Sequence, residues 1–281
     1  MENFVFLAVL FAAVCHAGWN ALIKVGLDPL STTALIAVGS AVVSIACLPL
    51  AGMPEGAAWP WLIASALIHV FYFAALIESY RTGDLGQVYP IARGSAPLMT
   101  AAASVVFVGE RLAVSGWIGI ATLAAGVLLL SARGGRGLAA IDRRAVGFAL
   151  LTALTICAYS VVDGIGARVS RNPESYVLLL LIGNALMLVP YALWRDGRDV
   201  IPAMRRFWLR GLVGGALQTL SYGIALWAMT LAPIAIVASL RETSVLFGTG
   251  IAVVVLKEPL RAARIGAALL IVAGLILIRL Q

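Results

Sequence analysis

Charge is scarce in this sequence. Asp, Glu, Lys and Arg make up 12% of it and apolar types 62%, where a soluble domain carries roughly 25% and 45–50%. No soluble core could hide that much apolar surface, so the surrounding solvent has to be lipid. Histidine is nearly absent, with His16 and His69 alone. Neither stands at ligand spacing from another His, Cys or carboxylate, so no metal or other cofactor is expected, and an interhelical hydrogen bond accounts for each. Cys15, Cys47 and Cys157 lie inside apolar runs with no CxxC spacing and read as small hydrophobes. No GxxxxGK(S/T) run is present, which excludes ATP hydrolysis by this chain. The N-terminus lacks a basic n-region, and Val14 precedes Cys15 where a lipoprotein signal needs a small residue, so no cleaved leader is expected. The formal net charge of +7 comes from loop arginines. In a membrane protein that balance sets topology, and no nucleic-acid partner is implied.

What is present is a succession of apolar runs, each near the roughly 20 residues that span a bilayer. They predict ten spans, over about 4–23, 32–50, 59–80, 85–108, 113–130, 146–167, 176–194, 211–230, 233–256 and 260–278, with no soluble domain left over. The fourth run holds Pro90, Arg93, Gly94 and Pro97, which predicts a kinked or locally unwound helix. Irregular backbone at that depth survives only where protein or a water-filled cavity covers it. The basic stretch from Ser131 to Arg144 looks like a seam between two halves. The loop from Arg195 to Arg210, with five arginines, Phe207 and Trp208, is expected to lie along the interface, arginines towards lipid headgroups and aromatics inwards. The spacings Gly211-xxx-Gly215 and Ala263-xxx-Ala267 predict close helix packing.

The halves repeat. A shift of 148 residues places Arg93 on Arg241, Ser95 on Thr243, Glu110 on Glu258, Leu112 on Leu260, Ala125 on Ala273 and Gly126 on Gly274. Val-Phe-Val-Gly-Glu-Arg-Leu then faces Val-Val-Leu-Lys-Glu-Pro-Leu. Five spans per half is an odd number, so the second half enters the membrane upside down relative to the first. The expected domains are a first repeat over 3–132, a basic linker over 133–144 and a second repeat over 145–280. Inverted repeats are a frequent architecture of secondary transporters, with the site near the midplane and one half rocking against the other.

These two Glu-x-Leu turns, the Ala-Gly-Val and Ala-Gly-Leu steps, and the five-plus-five layout resemble the EamA family of the drug/metabolite transporter superfamily over nearly the whole chain. Val162 to Arg168 and Leu240 to Ser244 further resemble a bacterial subgroup of permeases, some associated with phosphonate utilisation. The resemblance implies an all-α carrier of ten transmembrane helices in the bacterial inner membrane with a central cavity, acting on small-molecule metabolites. It implies no shared substrate ligand, so the site has to be read from the residues.

Arg93 and Arg241 are the sharpest of these. A cation at the bilayer centre costs about 2.5–3.5 kcal/mol even on the lenient insertion scale, and it stays only if it faces protein, water or an anion. Two equivalent arginines could face one cavity and offer planar forks to a carboxylate, phosphate or phosphonate. Alternatively, each pairs with an internal acid, Glu242 with Arg93 and Asp163 with Arg241. Glu242 and Asp163 are also the candidate proton-coupling sites. Trp19, Asn20, Tyr72, Tyr89, Gln218 and Tyr222 are candidate substrate contacts, with Trp227 as a further cavity-lining residue. Glu110 and Glu258 are expected to act on the positive ends of the fifth and tenth helices. The expected partners are a small anionic or zwitterionic metabolite, membrane lipid, and protons or a counter-substrate, for a monomer or weak homodimer. A lipid flippase or scramblase, a non-transporting membrane subunit and an intramembrane enzyme are the competing classes, and for an enzyme no serine has a histidine at a suggestive offset. Excluding Arg93 and Arg241, fourteen Lys and Arg lie on one side of the ten-span layout and four on the other, which predicts both termini outside, whereas the superfamily resemblance implies both inside.

Overall fold

The computed structural model describes residues 1–23, 29–82, 85–132, 143–197, 200–254 and 262–280. These residues are helical, with no strand among them. In chain order the helices are α1 (Asn3–Ile23), α2 (Pro29–Ala51), α3 (Trp59–Thr82), α4 (Leu85–Ala103), α5 (Val114–Ala132), α6 (Arg143–Val169), α7 (Pro173–Asp196), the short α8 (Val200–Arg206), α9 (Trp208–Leu231), α10 (Ile234–Arg241), α11 (Ser244–Val254) and α12 (Ala262–Arg279). Eight helical stretches are long and apolar enough to cross a membrane. They lie on α1, α2, α3, α4, α6, α7, α9 and the α10–α11 pair, and α5 carries a shorter apolar stretch, Val114–Leu130.

Burial is inverted relative to a soluble protein. Large apolar side chains point outward, among them Leu50 at 90% exposure and Phe107 at 79%, while Ser40, Ser65, Thr100, Ser104, Asp163, Ser221, Ser239, Glu242 and Thr243 are buried. In hydrocarbon a polar group must find its partner inside the protein. Many hydroxyls do so on their own helix by donating one turn back: Thr100 to Ala96 O at 2.8 Å, Ser104 to Thr100 O at 2.7 Å and Ser239 to Ala235 O at 2.7 Å.

The chain forms two compact units, and each takes helices from both sequence halves. One comprises Glu2–Ala66 and Asp163–Leu231; the other comprises Leu67–Val162 and Ala232–Gln281 with Met1. In the first, α9 packs on α1, α2 and α7. Gly211 and Gly215 let α9 approach α2 to backbone contact, since a Cβ on either would strike Leu35 or Gly39. Ser40 seals the contact by donating to Gln218 Oε1 at 2.6 Å, and Ser221 donates to Ala12 O at 2.8 Å. In the second unit α5 packs on α12 in the same way. A Cβ on Gly126 would meet Ile271 and Ala267 O, and one on Gly274 would meet Leu123 and Gly119. The expected small-residue faces are therefore present at Gly211, Gly215 and Ala267, while Ala263 has no described side chain.

Two local expectations are corrected. The helix around Arg93 is not unwound: α4 runs unbroken from Leu85 to Ala103, and its irregularity is a wider turn at Ser104–Val108, closed by Gly109 at φ 74°. The break falls in the repeat-related helix, between α10 and α11. There Thr243 Oγ1 donates to Leu240 O at 2.6 Å, and the amides of Glu242 and Thr243 bond to Ser239 O and Leu240 O, three residues back. A hydroxyl competing for the carbonyl and tightened bonds end the helix without a proline. Secondly, Glu110 acts on a helix other than the one that follows it. Its carboxylate accepts from Ile234 N at 2.7 Å and Ala235 N at 3.2 Å, at the start of α10. Glu258 lies outside the described residues.

Gly39→Ala inserts a Cβ against the Gly211 backbone and is expected to destabilise the protein by about 1–3 kcal/mol. Gly183→Ala, where nothing lies within 4 Å, should leave stability unchanged or slightly higher. Thermal melts of the two variants in one detergent make the comparison; equal melting points would refute the close α2–α9 contact.

Candidate substrate site

Three helices of one compact unit turn a polar face to a common cleft, and each does so with the same helical spacing. α4 supplies Arg93, Ala96, Pro97 and Thr100; α6 supplies Ile156, Tyr159 and Ser160; and Ala238, Arg241 and Glu242 come from α10 and its C-cap. Offsets of three and four residues put such side chains on one face of a helix. The small residues Ala96, Ala153 and Ala238 allow the approach. The space left is small, with room for roughly one water molecule.

Charge dominates this cleft. Arg93 Nε lies 3.0 Å from Glu242 Oε2, and the two side chains are 13% and 7% exposed. Arg241, the adjacent residue, also acts electrostatically on Glu242. Among the lining residues there are thus two guanidiniums and one carboxylate. Arg93 falls on the apolar stretch Ile91–Val108, and Arg241 and Glu242 fall on Ile234–Ile251. Aromatic side chains form one wall. Tyr159 stacks on His69, with centroids 4.6 Å apart and an interplanar angle of 24°, and meets Tyr72 edge-on at 5.8 Å. Tyr72 also packs on the Ala96, Ala153 and Ile156 cluster.

The structure therefore brings together Arg93, Arg241 and Glu242, with Tyr72 in the adjoining aromatic wall. Tyr89 has no described side chain. The other candidates belong to the other compact unit. There Asp163, fully buried, accepts from Tyr176 Oη at 3.1 Å and Tyr222 Oη at 2.5 Å. Gly166 makes room for Tyr176, since a Cβ there would overlap the phenol ring. Asn20 Nδ2 donates to His16 O at 2.8 Å, and Trp19 lies edge-on to His16 at 5.0 Å. Gln218 serves Ser40 as described, and Trp227 meets Phe4 edge-on at 5.9 Å. Thr100, Tyr159 and Ser160 line the charged cleft without having stood out in the sequence. Their signal was the helical offset: Thr100 is seven residues from Arg93, and Tyr159 and Ser160 follow Ile156 at three and four. Tyr176, the second donor to Asp163, was likewise missed. Among the described residues no group of three His, Cys, Asp or Glu could hold a metal ion.

Apolar helices wrapped around buried hydroxyls and a charged cleft define a multi-pass membrane protein with a polar interior. The chain belongs to the EamA-like transporter family, whose model matches residues 3–132 and 143–280. It is 37% identical over 84 residues to an "uncharacterized transporter in cobO 3′ region" of Sinorhizobium sp, a match that covers 30% of this chain and 49%, about half, of that relative. A solved crystal structure shares its fold across 100% of this chain and 99% of the other, with a TM-score of 0.77 at 21% identity. Family and hydropathy together make this a multi-pass membrane member of a transporter family, consistent with the bacterial inner membrane.

Removing one partner of a buried ion pair costs about 3–5 kcal/mol, more than the pair is worth, because the other charge stays buried. Arg93→Gln is therefore expected to destabilise the protein by about 3 kcal/mol, and Arg93→Gln with Glu242→Gln should recover most of that loss. Unfolding titrations of the two single variants and the double variant measure the coupling. Additive losses would remove the pair from the account.

Proposed function

We propose that this protein is a secondary transporter that moves a small anionic or zwitterionic metabolite across the bacterial inner membrane by alternating access, through ten spans arranged as two inverted five-helix repeats. The observation that carries this reading is the charge of the cleft: Arg93 and Arg241 beside one carboxylate, Glu242, at the depth of the apolar stretches. Two guanidiniums and one carboxylate line the cleft, and a cargo anion would meet them there. A planar guanidinium fork suits carboxylate, phosphate and phosphonate oxygens. The hydroxyls of Thr100, Tyr159 and Ser160 line the same cleft and can accept from or donate to the rest of a small polar molecule.

Glu242 holds the place that a cargo anion would take. Cargo arrival releases Arg93 from it, and the freed carboxylate can then take a proton. Asp163, held by Tyr176 and Tyr222, is the second candidate for proton coupling. Coupling by exchange with a counter-substrate uses the same arginines.

Uptake and efflux of carboxylates, phosphate and phosphonates in proteoliposomes test this reading. A charge-assisted hydrogen bond is worth about 1.5–3 kcal/mol, so Arg93→Gln and Arg241→Gln are each expected to weaken transport of the cargo by about tenfold or more. Unchanged transport and binding of every anion in both variants would end the anion-site reading. Glu242→Gln is expected to retain binding while losing dependence on a pH gradient; unaltered proton-driven uptake would dismiss its coupling role. A reporter fused after Gln281 should locate the C-terminus outside, as the count of basic loop residues requires.

A further inference from the structure

Beyond the transport site, the elbow between α7 and α9 carries a second concentration of charge. Arg205 and Arg206 end α8 and are exposed, and Arg210 is exposed in the first turn of α9. Between them stands Phe207, half-buried, whose carbonyl accepts from Arg210 N at 2.9 Å and Gly211 N at 3.2 Å and so starts α9. The guanidinium carbons of Arg206 and Arg210 lie 5.5 and 4.8 Å from the centre of this one ring. A single aromatic ring thus gathers two exposed guanidiniums onto one patch of surface. Exposed aromatics mark the depth of the elbow. Trp194 near the end of α7 is 82% exposed and Trp208 at the start of α9 is 61% exposed, and tryptophan concentrates at the headgroup level of a bilayer. Around the arginines the exposed surface is apolar, with Ile201, Trp208, Leu209 and Val213 open on α8 and α9.

We infer that this elbow is a binding site for an anionic membrane phospholipid, its phosphate held by Arg206 and Arg210 across Phe207 and its acyl chains against that apolar surface. Charge complementarity names the occupant. The guanidiniums are planar donors at headgroup depth, and the phospholipid is the phosphate that brings its own apolar tail. The site lies on α8 and α9, apart from Arg93 and Arg241 in sequence and in compact unit, so it does not depend on what the transporter carries.

The test uses the purified full chain in a neutral detergent with added phosphatidylglycerol, phosphatidylcholine or inorganic phosphate. Retained lipid is counted by native mass spectrometry, and thermal stability is followed in parallel. An arginine near an anionic lipid surface is worth about a fivefold factor in affinity. Phosphatidylglycerol should therefore be retained preferentially and raise the melting temperature. The double variant Arg206→Gln with Arg210→Gln should lose the preference by about twentyfold. Phe207→Leu, which keeps both charges but removes the ring that gathers them, should lose part of it. Added salt should weaken retention in the wild type. The proposal fails if the double variant keeps the full preference, if phosphatidylcholine is retained equally, or if inorganic phosphate alone reproduces the stabilisation. Should the double variant not fold, Phe207→Leu and the salt dependence decide, and a full preference in that variant with no response to salt overturns the site.

Discussion

A guanidinium inside hydrocarbon has to be met by something, and at Arg93 it is met by a carboxylate 3.0 Å away. That requirement organises the unit around it. Glu242 can reach Arg93 only because α10 lies against α4, and small residues such as Ala96 and Ala238 at the cleft let the helices come close. Arg241 stands in the same cleft and adds its electrostatic influence on the Glu242 carboxylate. A lone ion pair of opposite charges would be a neutral lock, and its desolvation could cancel much of its attraction. On the proposed reading, Arg241 in the same cleft gives a cargo anion a second guanidinium to meet.

The same demand explains the start of α10, which is buried throughout Ile234–Leu240. The first amides of a helix have no partner within it, and here no water is at hand. Glu110 supplies two acceptors, to Ile234 and Ala235, and Pro233 O takes the amides of Ile236 and Val237. All four open donors are thereby met. Gly109 makes this possible, because its left-handed backbone ends the preceding helix and turns the chain to present Glu110. A negative group at a helix start is also favoured by the helix dipole. Arg93 and Glu110 therefore sit on the same stretch of chain and hold opposite ends of α10: the first through Glu242 at its C-cap, the second at its N-terminus.

Much of this was legible from the residues. Hydropathy alone gave the membrane setting and most helix positions, because an apolar run near bilayer length has few other uses. The 148-residue shift brought Arg93 and Arg241 together as one feature, and the structure has both lining one cleft. Glycine spacing on α9 foretold a close contact, though not that α2 would be the partner. What was hidden depends on contacts distant in sequence. Glu110 reads as a cap for the helix that follows it, and nothing local says that the amides it meets are 124 residues away. Pro90 and Pro97 near Arg93 argued for a kinked or locally unwound helix; α4 is not unwound there, and the break falls at Thr243, whose hydroxyl competes for a backbone carbonyl. Thr100 and Tyr159 became visible once the helices to which they belong were known to share a cleft. The compact units were hidden too, since each mixes both sequence repeats.

The two arginines match under the 148-residue shift and differ in the residue that follows each. The counterpart of Glu242 under the 148-residue shift is Gly94. Gly94 lies against Leu128 of α5 so closely that a Cβ there would overlap the leucine side chain. A glutamate at that place would have no room, so the first repeat cannot supply a second carboxylate without giving up the α4–α5 contact. Packing in one half thus bears on the composition of the cleft: the position that carries a carboxylate at Glu242 is held to glycine at Gly94 by the contact with Leu128. On the anion-site proposal, this glycine acts without touching the cargo, by keeping the α4 position that matches Glu242 free of a second acid.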